Sequence, residues 1–409
     1  MWRPRKLIIL TLVIFAGVLN YADRQIIAVL KPLMQQALHW SDADYGRLGA
    51  VFQFAAAVAF LAAGPLVDRL GWRRANPLAV GTWSLAAMAH AAARTTAQFT
   101  LARLGLGATE ALGTPTAIKT LSAVFKAEER PLAIGVMNAS TGLGAILTPL
   151  IAPALALAVG WTGAFLIAGG LGLVWVAAWL LVIPRISVAE AEPPGAVTPA
   201  KAGLLTVLAD RRTWAVAGAK ALSDQVWWLF LFWTPDLLHR VFHLEVKDFG
   251  APLAAIYACA SAGSLLAGAV ARRLSLAKVD LNIARKGSLL VAAALVTPVW
   301  FAASVPGLWW AIAILGLALA AHQTYSLNIF ALITEMSPKA QVATVTSIGA
   351  FCGNLAGMAI VQAAGWVLEA KLGYGPLLAW ASVSYLLGVA WIQVLVPKIQ
   401  LANQDETHD

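Results

Sequence analysis

The sequence predicts an all-α integral membrane protein, with twelve transmembrane helices in two pseudo-symmetric six-helix halves. Three observations carry that expectation: a strongly apolar composition, recurrent apolar runs of about twenty residues, and one long polar interval that divides the runs six and six. Of 409 residues, 60% are hydrophobic and 12% charged, and mean hydropathy is +0.75, which is too apolar for a soluble globule. The runs lie at roughly 7–30, 44–63, 75–93, 97–121, 130–153, 162–183, 213–237, 249–271, 284–303, 307–333, 341–366 and 375–396. Each is long enough to cross the hydrocarbon core as a helix. Spans of a strand barrel would be about ten residues of alternating polarity, and no such pattern occurs.

The first run is too long for a cleaved signal peptide, holds Asp23 and Arg24, and lacks a clear small-residue cleavage site, so it reads as the first span. Between the second and third runs lies GPLVDRLGWRR, Gly64 to Arg74. There Gly64 and Gly71 allow close helix approach and a tight turn, and Asp68 can accept from a helix N-terminus or pair with basic side chains such as Arg69 and Arg73. The polar interval runs from Pro184 to Gly203, rich in Pro, Ala and Glu, and reads as a hinge or as a plain loop. It sets the expected organisation: an N-terminal half at 1–184, a linker at 185–205, a C-terminal half at 206–398 and a tail at 399–409. After the eighth run, GAVARRLSLAKVD keeps Arg272 and Arg273 but lacks the tight-turn glycine.

Sorting the 29 Lys and Arg by the positive-inside rule puts both termini in the cytoplasm, with nineteen on inner segments, six outside and four within spans. The net charge of +9 is therefore mostly a topology signal and gives no reason to expect nucleic-acid binding. Cys259 and Cys352 show no metal-ligand or CxxC spacing and read as small core residues. No cofactor and no metal are expected, and the bilayer is the expected surrounding of a monomer.

The in-span basic residues are Arg24, Arg103, Lys119 and Lys220. A charge at bilayer depth costs at least about 2.5–3.5 kcal/mol on insertion scales, so such residues are usually paired, inward-facing and functional. Lys119, near an inner end, has the alternative of snorkelling. Asp23 and Arg103 fall at similar depth, so the two can pair where the first and fourth spans adjoin, which leaves Arg24 aimed elsewhere. Glu110 is seven residues after Arg103, about 700° of helix, so the two share a face and Glu110 lies about 10.5 Å deeper. A carboxylate there pays a desolvation cost, as a proton carrier requires. The alternative is a set of static pairs that hold helices together.

In the seventh run, Lys220 and Asp224 are four apart and can meet on one face, either as a mutually neutralising pair or as a binding pair. Trp227, Trp228 and Trp233 follow; Trp228, one turn beyond Asp224, reads as a cavity residue, while others can anchor at the interface. The tenth run is interrupted by His322, Gln323, Tyr325, Ser326 and Asn328, the eleventh by Asn354 and the fifth by Asn138 and Thr141. Such groups must find partners across helices; their number favours a hydrated cavity that binds hydroxyls. His322 is either a hydrogen-bonded core histidine or a proton site.

The 64–74 loop matches the signature loop of the major facilitator superfamily, with Trp72 at a position often basic. NYADR in the first span with Arg103-x6-Glu110 in the fourth resembles that superfamily's anion:cation symporters. Within these, KALSDQVWWLFLFWTPDLL, ARKGSLLVAAALVTPVWFA and AAHQTYSLNIFALITEMSP are similar to the bacterial hexuronate transporter branch. The resemblance implies that Asp23 and Glu110 titrate protons, that Arg24 and Arg103 contact a carboxylate or gate its path, and that Tyr21 and Asn354 line the cavity. Two departures stand out: Gln225 where a proline is common, and Gln323-Thr324-Tyr325 in place of Gln-Gly-Trp, which alters the expected sugar-pocket wall.

The sequence thus predicts an inner-membrane symporter importing an organic anion with protons by alternating access, with galacturonate or glucuronate as leading candidates. Arg24 or Lys220 would take the carboxylate. The rivals are a transporter of an aldonate or aromatic carboxylate, and a sensor that binds solute without moving it. An enzyme is not expected, since no nucleophile–base set, phosphate loop or metal motif is present.

Overall fold

The computed structural model describes residues 2, 4–126, 128–185, 204–338 and 341–401. Among them there is no strand. The helices are α1 Pro4–Val29, α2 Lys31–Leu38, α3 Asp42–Leu70, α4 Trp72–Ala92, α5 Thr96–Glu110, α6 Gly113–Val124, α7 Arg130–Val182, α8 Leu204–Ala209, α9 Arg211–Phe242, α10 Gly250–Leu276, α11 Leu281–Val296, α12 Leu308–Met336, α13 Val342–Glu369 and α14 Gly375–Leu395. Every apolar run coincides with helix, and among the described residues eight helical stretches are long and apolar enough to cross a membrane. One compact unit comprises α1 to α7 with His243–Ala254; the other comprises α8, α9 and the chain from Ala255 onward. The expected linker falls mostly outside the described residues, as does most of the expected tail.

Local chemistry explains the interruptions. α3 and α5 open on capping boxes, Ser41 with Asp44 and Thr95 with Gln98, which satisfy two otherwise orphan backbone donors each. The fifth and sixth runs form one continuous α7 except at Gly160, whose φ of 75° is open to glycine at little cost. The fourth run is not one helix. It tightens at Ala111–Leu112, where the Leu112 N–H reaches back only to Thr109 O at 3.2 Å. Pro115 has no N–H for the Ala111 carbonyl and its ring crowds that carbonyl, so the regular ladder cannot pass through. Likewise α11 gives way to a 3-10 turn at Thr297–Phe301, where Pro298 removes a donor and the Thr297 hydroxyl bonds the Ala294 carbonyl at 2.8 Å.

In the first unit α1 and α4 pack on α7, and α3 packs on α5. The α3–α5 approach is closest at Gly107, where a Cβ would stand 2.4 Å from the Phe52 carbonyl oxygen. In the second unit α9 packs on α13, α14 and α12. Gln225 stitches α9 to α14: its amide donates to Ser384 Oγ at 3.1 Å and accepts from Trp380 Nε1 at 3.1 Å. That is how the chain uses the departure from proline. Many large apolar side chains are exposed on both units, among them Leu101, Val174, Leu265 and Trp310, as lipid-facing helices require. Cys259 is exposed rather than part of the core, and Cys259 and Cys352 are both free.

The 64–74 loop is built differently from expectation at one glycine. Gly71 holds φ 70° and ends α3, its N–H bonding Val67 O, but Gly64 has nothing within 4 Å of an added Cβ, so close packing is not its role. Asp68 pairs with Lys119 of α6 at 2.6 Å, which gives Lys119 a partner beyond snorkelling. Arg73 lies over the Trp72 ring at 4.7 Å, and its carbonyl accepts from Trp179 Nε1 at 3.0 Å.

Candidate functional site

In the first unit the charged residues of α1 and α5 meet, with a pairing unlike the expected one. Arg24 Nε donates to Glu110 Oε2 at 2.7 Å, and Arg24 also reaches Asn20 Oδ1 at 3.2 Å. Glu110 is almost completely buried. Asp23 and Arg103, expected to pair, form no ion pair within 4 Å; neither Asp23 oxygen and no Arg103 nitrogen has a hydrogen-bond partner among the described residues. Asp23 lies within electrostatic reach of both Glu110 and Arg103. Consecutive residues of a helix point about 100° apart, so α1 turns either Asp23 or Arg24 squarely to α5, and here Arg24 makes the contact, with Glu110.

Phe52 of α3, absent from the sequence reading, holds the arrangement. Its buried ring has the Arg24 guanidinium 5.5 Å and the Arg103 guanidinium 5.7 Å from its centroid, so one aromatic serves two cations. Nothing in the pattern marks Phe52, since a phenylalanine in an apolar run is ordinary. Gln25 and Gln53, both fully buried with no amide partner among the described residues, carried a visible signal as amides within apolar runs. Buried polar groups without protein partners are rare in proteins, and several of them gather here. Tyr21 is largely buried, with its Cβ 2.9 Å from where a Gly144 Cβ would stand, and Asn138 is exposed on α7.

In the second unit Lys220 and Asp224 of α9 do meet, at 2.9 Å. Lys220 also lies over the Phe330 ring at 4.9 Å. Glycines of α13 face this row in register. Added Cβ atoms at Gly349, Gly353 and Gly357 would stand 3.0 Å from Lys220 Cδ, 2.4 Å from Asp224 Oδ2 and 2.4 Å from Trp228 Cδ1. Trp228 is thus seated against α13. His322 of α12 is 6% exposed, stacks on Trp227 at 4.9 Å and places Nδ1 2.7 Å from the Tyr385 hydroxyl. Gln323 is half-buried, and Asn354 is half-buried with its amide N–H on the Ala350 carbonyl at 2.8 Å.

Two expectations for α12 shift. Asn328, expected among the groups that bind hydroxyls in the cavity, has its amide on the Thr324 carbonyl and the Arg285 guanidinium, beside an Arg285–Glu335 ion pair. Tyr325 is fully buried against Tyr385 and would touch a Gly388 Cβ with its hydroxyl. The Tyr-for-Trp departure therefore alters packing between α12 and α14, not an accessible wall.

Comparisons with known proteins agree with this architecture. A family model described as Major Facilitator Superfamily matches residues 13–361. The hexuronate transporter of Escherichia coli K12 is 26% identical over 419 residues, covering 98% of this chain and 96% of that protein. A probable L-galactonate transporter of the same strain is 29% identical over 271 residues, covering 63% of this chain and 60% of that protein. A bacterial homologue of the human lysosomal transporter Spinster matches in structure with TM-score 0.74 at 21% identity, covering 97% of this chain and 96% of that one, a likeness of fold alone.

Proposed function

The chain belongs to the major facilitator superfamily, and on that premise we propose that it imports a sugar acid, a hexuronate such as galacturonate or glucuronate, by proton-coupled symport with alternating access. It is a multi-pass membrane transporter and not an enzyme. The inner membrane, with both termini cytoplasmic, is the proposed setting, from the distribution of Lys and Arg.

The observation that carries the proposal is the Arg24–Glu110 contact at 2.7 Å, in which a buried carboxylate occupies a guanidinium suited to a substrate carboxylate. Protonation of Glu110 removes the charge that holds Arg24. The freed guanidinium then takes the substrate carboxylate, so proton and anion enter together. Asp23, close in charge terms to Glu110 and Arg103, is the second titrating group. Lys220, held by Asp224 in the same manner, is the second cation available to an anion.

An aldonate is the second reading, favoured by the name of the relative described as a probable L-galactonate transporter. Purified protein in liposomes, offered labelled galacturonate, glucuronate and galactonate with an inward proton gradient, a sodium gradient or neither, separates these. Hexuronate accumulation driven by protons alone is expected. Galactonate accumulation without hexuronate uptake would move the assignment to the aldonate, and no accumulation by liposomes holding folded protein would contradict symport of sugar acids.

A further inference from the structure

Tyr385 of α14 is 1% exposed and sits where three helices meet. Its hydroxyl lies 3.2 Å from the Ser223 carbonyl oxygen of α9 and 2.7 Å from His322 Nδ1 of α12. A phenol has one hydrogen to give, and a carbonyl can only accept. Both contacts are hydrogen bonds at once only when the Tyr385 hydrogen goes to Ser223 and His322 Nδ1–H donates to the phenol oxygen. In a neutral imidazole that leaves Nε2 bare, with its lone pair available.

The plane of the ring is fixed by its aromatic neighbours, and the Tyr385 contact sets which edge carries Nδ1. One face stacks on Trp227 with 21° between planes, and Tyr385 meets it edge-on at 6.0 Å. Tyr385 is braced in turn by Tyr325, edge-on at 5.1 Å. Among the described residues Nε2 has no hydrogen-bond partner, and it is not among the sealed buried atoms. Gln323, the next residue, is half-buried with no amide partner among the described residues, and the Lys220–Asp224 pair lies within electrostatic reach of His322. This part of the second unit offers an acceptor at His322 and a cation at Lys220, the two kinds of group a hydroxy carboxylate engages.

We propose that Tyr385 is a positioning residue that fixes His322 as the Nδ1–H tautomer, so that His322 Nε2 accepts a hydrogen bond from a hydroxyl of the transported sugar acid. The proposal rests on the sugar-acid reading above and deepens it. A bare acceptor favours a substrate with a hydroxyl to donate and penalises an aromatic carboxylate, which would leave Nε2 unpaired.

Two measurements test it. Nitrogen-15 NMR of histidine-labelled protein, with the signal assigned through His322→Gln, reads the tautomer without any substrate. Nε2 bare in the wild type and a changed tautomer in Tyr385→Phe are expected; an Nε2–H tautomer, or no change in Tyr385→Phe, overturns the positioning role. Binding of galacturonate and its mono-deoxy analogues is then compared across variants. His322→Asn, whose amide reaches only to the Nδ1 position, is expected to bind about 3- to 10-fold more weakly, the range one neutral hydrogen bond supplies. His322→Gln, which places an acceptor near the Nε2 position, is expected to retain most affinity, and one deoxy analogue should show no difference between wild type and His322→Asn. Equal binding by His322→Asn, or a uniform loss across all analogues, overturns the acceptor role. If wild type binds no sugar acid at all, the transport reading fails and the hydroxyl role falls with it, while the tautomer measurement still judges Tyr385.

Discussion

Glu110 gives Oε2 to Arg24 while its Oε1 has no hydrogen-bond partner among the described residues. A proton can arrive at Oε1 before the Arg24 contact breaks, and the neutral acid then holds the guanidinium far less strongly than a carboxylate does. Glu110→Gln copies the neutral state permanently. With one proton per monoanion, a gradient of one pH unit sustains about tenfold accumulation; Glu110→Gln is expected to lose it entirely while counterflow exchange continues. Unchanged proton-driven uptake by this variant would remove Glu110 from coupling. Which of Asp23 and Arg24 makes the contact with α5 was not legible in the sequence, because depth along a helix is set by residue count but the choice between neighbours 100° apart depends on helix rotation. The Lys220–Asp224 pair was legible, since a four-residue spacing within one helix needs no tertiary information.

The α9–α13 contact depends on three glycines in register with Lys220, Asp224 and Trp228. Gly353→Ala would drive a methyl into Asp224, and overpacking of this kind typically costs about 1–3 kcal/mol. A lower Tm and weaker substrate binding are expected, whereas Gly268→Ala, with open space at its Cβ, should be neutral or gain from helix propensity; equal effects of the two would contradict the fitted contact. At the start of α7, Lys6 and the Lys126 backbone N–H hold the Glu129 carboxyl below its usual range. A depressed carboxylate stabilises the fold above its unfolded value near about 4.3, and the gain is lost as pH falls through the lower folded value. Glu129→Gln should lower Tm at pH 7 by an amount equivalent to at most about 1 kcal/mol and converge on wild type in acid; a gap that persists in acid would contradict the ionic origin. The helix positions themselves were readable from apolar length. The break after Glu110 was not read, although Pro115 was present to mark it, because hydropathy averages over a single missing donor.

For the molecule as a transporter, each unit carries its own cation–carboxylate pair, Arg24–Glu110 in one and Lys220–Asp224 in the other. Membrane character and family were legible because composition, run length and the 64–74 loop survive averaging over the chain. Phe52 and Tyr385 were not, because an aromatic in an apolar run has no distinguishing local pattern until folding brings a cation or an imidazole to it. Coupling is the claim on which the rest depends. Its most direct test is to follow internal pH with a trapped dye in proteoliposomes while galacturonate is added outside, with no imposed gradient and the membrane potential clamped. Internal acidification that tracks substrate entry in wild type and disappears in Glu110→Gln is expected; substrate entry with no proton movement in wild type would contradict proton symport.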